Sequence, residues 1–90
     1  MVKKVIDLHA SWCQPCKAYS KTFETVRNKE EYKNIVFEDY DIEDDKIGED
    51  LVTKYGVRSV PTTLFFDENE NLLHSMAGNI SMGELEKKLA

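Results

Sequence analysis

The chain has 90 residues, of which 41% are hydrophobic and 32% are charged, and its formal net charge is −5. This is the length of one domain and the composition of an ordinary globular protein, which argues against disorder. The negative charge leaves no basic patch for phosphates and no apolar run reaches the ~20 residues that cross a bilayer, so we expect neither nucleic acid nor a membrane as a partner and place the chain in the cytoplasm.

The first predicted element is a strand in the segment VKKVIDLHA, which is short and rich in β-branched and apolar residues. Because side chains alternate along a strand, Val5, Asp7 and His9 share one face. Asp7 interrupts the apolar pattern, and the strand alone leaves open whether it faces solvent or the core.

A helix is predicted next, from about Pro15. Tyr19, Phe23 and Val26 recur there at helical spacing. The pattern does not fix the end of this helix, because RNKEEYKN could add a broken extra turn. The segment NIVFEDYDI then predicts a second strand.

The rest of the chain predicts two helices around a hairpin. DDKIGEDLVTKYG is a helix with Ile47, Leu51 and Tyr55 on one stripe, and it ends at a capping glycine. TTLFFD and LLHSMA are strands joined by the polar ENEN, and SMGELEKKL begins with a capping box of Ser81 and Glu84. The order β-α-β-α-β-β-α predicts a single α/β domain over residues 1–90, a three-layer sandwich with helices on both faces of a four-stranded mixed sheet.

Both cysteines of the chain lie in WCQPCK, with two residues between Cys13 and Cys16. A structural disulfide closing so short a loop is a weak staple, worth about 2 kcal/mol by loop entropy. A structural zinc needs four ligands, and His9 and His74 form no second ligand pair, so we expect no metal. The favoured interpretation is a redox-active disulfide, which would need no other cofactor.

The position of the pair predicts different roles for the two thiols. Cys13 falls where strand meets helix, so the free N–H groups and the positive end of the helix favour its thiolate. Lys17 adds positive charge one turn along. We therefore predict that Cys13 is the nucleophile and that Cys16, expected to be more shielded, is the resolving thiol.

These residues resemble the thioredoxin family. The segments VIDLHASWCQPCK, YGVRSVPTTLFF and AGNISMGELEKKL carry the likeness, although Gln14 stands where the family usually has glycine. The resemblance implies a thioredoxin-like fold and a protein-disulfide reductase that acts on disulfide-containing protein substrates and is recharged by a thioredoxin reductase. We also expect a monomer, a sheet ordered second, first, third, fourth strand, and a cis Val60–Pro61 bond.

The resemblance also assigns further site residues. Asp7 matches the family's buried aspartate, and it would accept, through water, the proton that Cys16 must lose. An extended substrate would pair with the backbone of Val60 as an added strand. The apolar docking face would consist of Trp12, Val60, Pro61, Ala77 and Gly78.

Asp39 is a departure from the family, because a lysine usually pairs there with the buried aspartate. If Asp39 faces Asp7, burial and repulsion should both raise the pKa of Asp7. The resolving step should then be slow at neutral pH unless His9, on the same strand face, supplies an alternative base.

Two other functions stay open at this point. One is a glutaredoxin-like, glutathione-dependent oxidoreductase, which Pro15 before the second cysteine and Gly78–Asn79 in place of a Gly-Gly pair both disfavour. The other is a non-catalytic thioredoxin-fold interaction module, which the intact Cys-Gln-Pro-Cys disfavours.

Overall fold

A computed structural model describes all residues, 1–90, and the helices and strands follow the predicted order β-α-β-α-β-β-α. A short 3-10 turn, Glu30–Tyr32, follows the first helix and buries Tyr32, which confirms the broken extra turn. The elements are β1 (Lys4–His9), α1 (Gln14–Arg27), β2 (Val36–Asp41), α2 (Lys46–Tyr55), β3 (Thr62–Phe66), β4 (Leu72–Ala77) and α3 (Met82–Leu89).

The four strands form one mixed sheet in the order β2-β1-β3-β4. This is the predicted order, and strand β1 is parallel to β2 and antiparallel to β3. Asp7 lies directly opposite Asp39 of β2 and opposite Thr63 of β3. The sheet therefore brings the two aspartates side by side, as the resemblance suggested.

The sheet has a hydrophobic layer on each face, which confirms the three-layer α/β architecture. Helices α1 and α3 cover one face, where Tyr19, Phe23 and Leu85 pack on Val5 and Phe65. Helix α2 covers the other face. Its side chains pack on Ile6, Leu8, Leu64 and Phe66. No helix in the fold has the length and apolar character needed to cross a bilayer.

The buried stripe of α2 differs from the prediction at one position. Leu51 and Tyr55 pack against the sheet as expected, but Ile47 is 52% exposed. The next residue, Gly48, is buried instead. It lies so close to β2 that a Cβ atom there would overlap the backbone carbonyl of Asp41. The absence of a side chain at Gly48 thus lets α2 approach β2 closely and turns Ile47 to solvent.

Alanine substitutions at the two glycines inside helices should have opposite effects. Gly48→Ala should lower the free energy of unfolding by about 2 kcal/mol, because the new methyl group has no room beside Asp41. Gly83→Ala in α3 is the matched control, since a Cβ there meets nothing closer than 3.9 Å. That control should gain about 1 kcal/mol of helix propensity. Urea unfolding measures both, and a stabilised Gly48→Ala would contradict the close approach of α2 and β2.

Candidate active site

The two cysteines are joined by a disulfide at the N-terminus of α1. Cys13 is the N-cap residue, and its Sγ accepts a hydrogen bond from the backbone N–H of Cys16 at 3.1 Å. Pro15 occupies the first turn, where its missing N–H costs nothing. Free N–H groups and the positive end of the helix dipole stabilise negative charge on a sulfur so placed. The geometry therefore suits Cys13 as the thiol that ionises when the disulfide is reduced.

Exposure does not distinguish the two cysteines, because each is 4% exposed. This corrects the expectation that Cys16 is the more shielded of the two. The ring that closes over a single helical turn buries both sulfurs together in a small apolar cluster with Ala10, which Ile42 and Val60 cover. What separates the cysteines is their surroundings, because the carbonyl of Val60 lies beside Cys13 and the cavity of Asp7 lies beside Cys16.

The loop before β3 lies against Cys13. The carbonyl oxygen of Val60 is 3.6 Å from Cys13 Sγ, and the Val60–Pro61 peptide bond is cis, as predicted. The N–H of Gly78 donates to the carbonyl of Pro61 at 2.8 Å, so the end of β4 is tied to this loop. The structure thus gathers the loop, the disulfide and the end of β4 in one place.

The residues predicted for docking are accessible to solvent, with one exception. Trp12 and Ala77 are exposed, and Val60 and Gly78 are partly exposed, whereas Pro61 is fully buried. Pro61 therefore supports the surface from beneath and offers little area of its own. A groove of about 260 Å³ runs beside Trp12, and its other lining residues are Ile42, Val52, Val57, Arg58, Ser59 and Val60.

The indole of Trp12 has a partner that the sequence did not reveal. Its Nε1–H donates to Glu43 Oε1 at 2.8 Å, although Trp12 remains 63% exposed. Glu43 follows β2, and the side chain of Asp41 accepts the backbone N–H of Glu43 at 2.8 Å. No local pattern signals a contact between residues 31 positions apart, so only the fold could reveal it.

A cavity of about 300 Å³ lies on the other side of the disulfide and joins Cys16 to Asp7. Asp7 is 1% exposed, which confirms its predicted burial, and its Oδ1 has no hydrogen-bond partner. Lys17 is exposed, lines this cavity and forms no ion pair. Cys16 and an unpartnered buried carboxyl therefore share one space, which Lys17 of α1 also lines.

The surroundings of Asp7 raise its pKa from 3.8 to about 6. Burial is the main cause, because it penalises the charged form; the charge of His9 lowers the pKa and that of Asp39 raises it. The predicted direction is thus confirmed. A carboxyl with a pKa of about 6 is mostly ionised at pH 7, however, so the expected loss of the base at neutral pH does not follow.

His9 and Asp39 contact each other at the edge of this cavity, with 3.0 Å between His9 Nε2 and Asp39 Oδ1. Asp39 Oδ2 also lies 3.7 Å from the guanidinium of Arg27, which pairs with Glu24 and donates to the carbonyl of Phe37. The sequence placed His9 and Asp39 near Asp7 but did not predict that they pair with each other. No group of three or more His, Cys, Asp or Glu side chains is placed to hold a metal ion.

This fold and this site define a class of protein, in which a disulfide caps a helix on a mixed α/β sheet beside a cis-proline loop. The family model described as Thioredoxin matches residues 2–90. Among curated relatives, the chain is 36% identical to a thioredoxin of Aspergillus fumigatus over 83% of its length and 66% of that protein. It is 31% identical to a thioredoxin of Mycoplasmoides gallisepticum over 97% of its length and 81% of that protein.

Solved structures of thioredoxins superpose on the chain as well. The germline-specific thioredoxin Deadhead of Drosophila has a TM-score of 0.81 and 31% identity, and the match covers 96% of this chain and 76% of that one. A thioredoxin of Malassezia sympodialis has a TM-score of 0.83 and 26% identity over 96% of this chain and 70% of that one. The chain belongs to the thioredoxin family. It spans slightly less than two thirds of the first curated relatives that it matches, 66% and 64% of their lengths.

Proposed function

We propose that the chain is a thiol–disulfide oxidoreductase that reduces disulfides in protein substrates. The observation that carries this proposal is the disulfide at the N-terminus of α1, with Cys13 capping the helix and Cys16 facing the cavity of Asp7. A purely structural disulfide would need neither a helix end that favours a thiolate nor a buried carboxyl beside the second sulfur.

The first half of the cycle forms a mixed disulfide. The Cys13 thiolate attacks one sulfur of a substrate disulfide, the substrate S–S bond breaks, and the departing substrate sulfur takes a proton from solvent. The helix N-terminus stabilises the attacking thiolate, and the exposed ammonium of Lys17 adds positive charge nearby. The substrate would lie across Trp12 and Val60, with Ala77 at the edge of the docking face.

The second half releases the product. Cys16 loses its proton to the Asp7 carboxylate, and its sulfur attacks Cys13, so the Cys13–Cys16 bond forms and the substrate sulfur leaves as a thiolate. The substrate is reduced by two electrons and the chain is oxidised to the disulfide seen in the structure. Returning it to the dithiol requires an external reductant, for which we propose a flavin-dependent thioredoxin reductase. We further propose that the chain works as a monomer in the cytoplasm without another cofactor.

Reduction of insulin by dithiothreitol tests this function. The wild-type chain should accelerate precipitation of the insulin B chain, whereas Cys13→Ser should give the uncatalysed rate. Reduced Cys16→Ser, freed of dithiothreitol before insulin is added, should stop at the mixed disulfide, because the variant has no second thiol that can release the product. A wild-type chain that does not exceed the dithiothreitol background would refute the proposal and favour an interaction module.

The electron donor is tested separately, by supplying NADPH with thioredoxin reductase or glutathione with its own reductase. The proposal expects turnover with the first system. Turnover with glutathione alone would instead support the glutaredoxin-like alternative. Ser75→Ala is a suitable control in both assays, since Ser75 is exposed on β4 and lines neither the cavity of Asp7 nor the groove beside Trp12.

A further inference from the structure

Asp7 and His9 lie two residues apart on the face of β1 that α1 covers, and both line the cavity of Cys16. Asp7 has an oxygen without a hydrogen-bond partner, and no cation forms an ion pair with it. His9 is only partly buried, with its side chain 30% exposed. The cavity thus joins a buried carboxyl to a titratable ring that has access to solvent.

Asp39 fixes the position of this ring. Its Oδ1 lies 3.0 Å from His9 Nε2, and because an ionised carboxylate can only accept a hydrogen bond, Nε2 must carry the hydrogen. The guanidinium of Arg27 lies 3.7 Å from the other oxygen of Asp39. The ring of His9 is therefore held at the cavity rather than left free to turn into solvent.

The other charged or titratable groups around the cavity do not replace His9. β3 presents the uncharged Thr63 opposite Asp7, and α1 lines the cavity with Cys16, Lys17 and Glu24, while Arg27 is engaged by Asp39. Tyr19 of α1 does not line the cavity, and its hydroxyl accepts a hydrogen bond from Thr63. From β2, the carboxylate of Asp39 lines the cavity opposite Asp7, while Asp41 lies opposite His9 and does not line the cavity. Among these groups, His9 is the one whose charge lowers the pKa of Asp7, and Asp39 raises it.

We propose that His9, anchored by Asp39, supplies a titratable positive charge to Asp7 and so sets the lower pH limit of product release. This inference rests on the proposed function. Cys16 can give its proton to Asp7 only while Asp7 is ionised; the proton later leaves Asp7 for solvent. As the pH falls, an imidazole gains charge in the range between about pH 5 and 8, which keeps the carboxylate ionised longer. His9 acts through Asp7 and is a positioning residue.

His9→Gln tests the inference, because the amide can still donate to Asp39 but cannot become charged. The pKa of Asp7, followed by NMR in the reduced protein, should rise by about one pH unit, as expected for loss of a nearby opposite charge. The resolving step should then be about tenfold slower at pH 5, the same shift expressed as a rate. His74→Gln is the matched control. His74 packs on Phe65 from β4 and does not line the cavity.

Asp39→Ala separates the anchor from the direct repulsion, because alanine has neither the charge nor an acceptor for the His9 ring. In the His9→Gln background, Asp39→Ala should lower the pKa of Asp7, because a like charge is removed. In the wild-type background the same change also frees His9, so the decrease should be smaller. Equal decreases in the two backgrounds would overturn the anchoring role of Asp39.

An Asp7 titration that is identical in the wild type and in His9→Gln would overturn the inference as a whole. This outcome is distinct from failure of the proposed function. The titration needs no substrate, and the insulin assay of the wild type needs no variant at position 9. Amide NMR spectra of each variant show whether the fold is retained, and His74→Gln shows the effect of losing an imidazole elsewhere.

Discussion

At pH 7, Asp7→Asn should raise the free energy of unfolding of the oxidised protein by about 3 kcal/mol. The folded protein raises the pKa of Asp7 from 3.8 to about 6, mainly through burial. Between those pH values the folded state holds a proton that the unfolded state has released, so wild-type stability falls as the pH rises. Above pH 6 Asp7 is ionised in both states, and the wild type carries the full cost of a buried carboxylate. That cost is about 1.4 kcal/mol for each pH unit by which folding raises the pKa. The neutral amide avoids it.

The pH profile is therefore the decisive measurement. Urea unfolding of wild type and Asp7→Asn should give similar stabilities near pH 4 and diverge steadily up to about pH 6. Asp41→Asn is the opposite control, because backbone N–H groups of Asp44 and Glu43 lower the pKa of Asp41. That variant should lose stability at pH 7, and the loss should shrink on acidification. A constant difference between Asp7→Asn and wild type at all pH values would show that Asp7 is solvated.

Asp7→Asn should also slow product release by about 100-fold at pH 7, which is the lower end of what a positioned general base contributes. Cys16 lines the cavity with Asp7, and no other carboxylate in that cavity is as deeply buried. The first attack depends instead on the Cys13 thiolate, which the N-terminus of α1 stabilises. Asp7→Asn should therefore accumulate the mixed disulfide, which acid quenching and mass spectrometry can quantify over time.

Ser20→Ala provides the control for this kinetic experiment. Ser20 lines the same cavity, but its hydroxyl donates to the carbonyl of Lys17 and carries no charge. Its removal should leave both steps within about twofold of wild type, as for most surface substitutions. Equal slowing of attack and release by Asp7→Asn would indicate a structural effect. No slowing at all would remove Asp7 from the mechanism.

Much of this site could be predicted from the sequence because its key residues lie in regular elements. The alternation in β1 placed Asp7 and His9 on one face, and the helix that begins at Pro15 placed the cysteines at its N-terminus. The pairing of Asp7 with Asp39 depended on the register of β2, where a shift of one residue would have turned Asp39 to the other face.

The features that the sequence did not reveal depend on distances between elements. Periodicity favoured Ile47 as a core residue, but the close approach of α2 to β2 required the small Gly48 on that face. The bond between Trp12 and Glu43 and the equal burial of the cysteines likewise depend on how loops meet across the molecule. A glycine inside a predicted helix is the one signal that could have indicated the close approach.

Trp12 is the only tryptophan of the chain and is the residue immediately before Cys13. Its indole is exposed and tied by one hydrogen bond to Glu43. Indole fluorescence responds to nearby charge, polarity and sulfur oxidation state, so the entire tryptophan emission of this protein arises at the disulfide. The molecule thus carries a built-in optical probe. Each step of the proposed cycle can therefore be tested in real time in the unlabelled chain, with no background signal from a second indole.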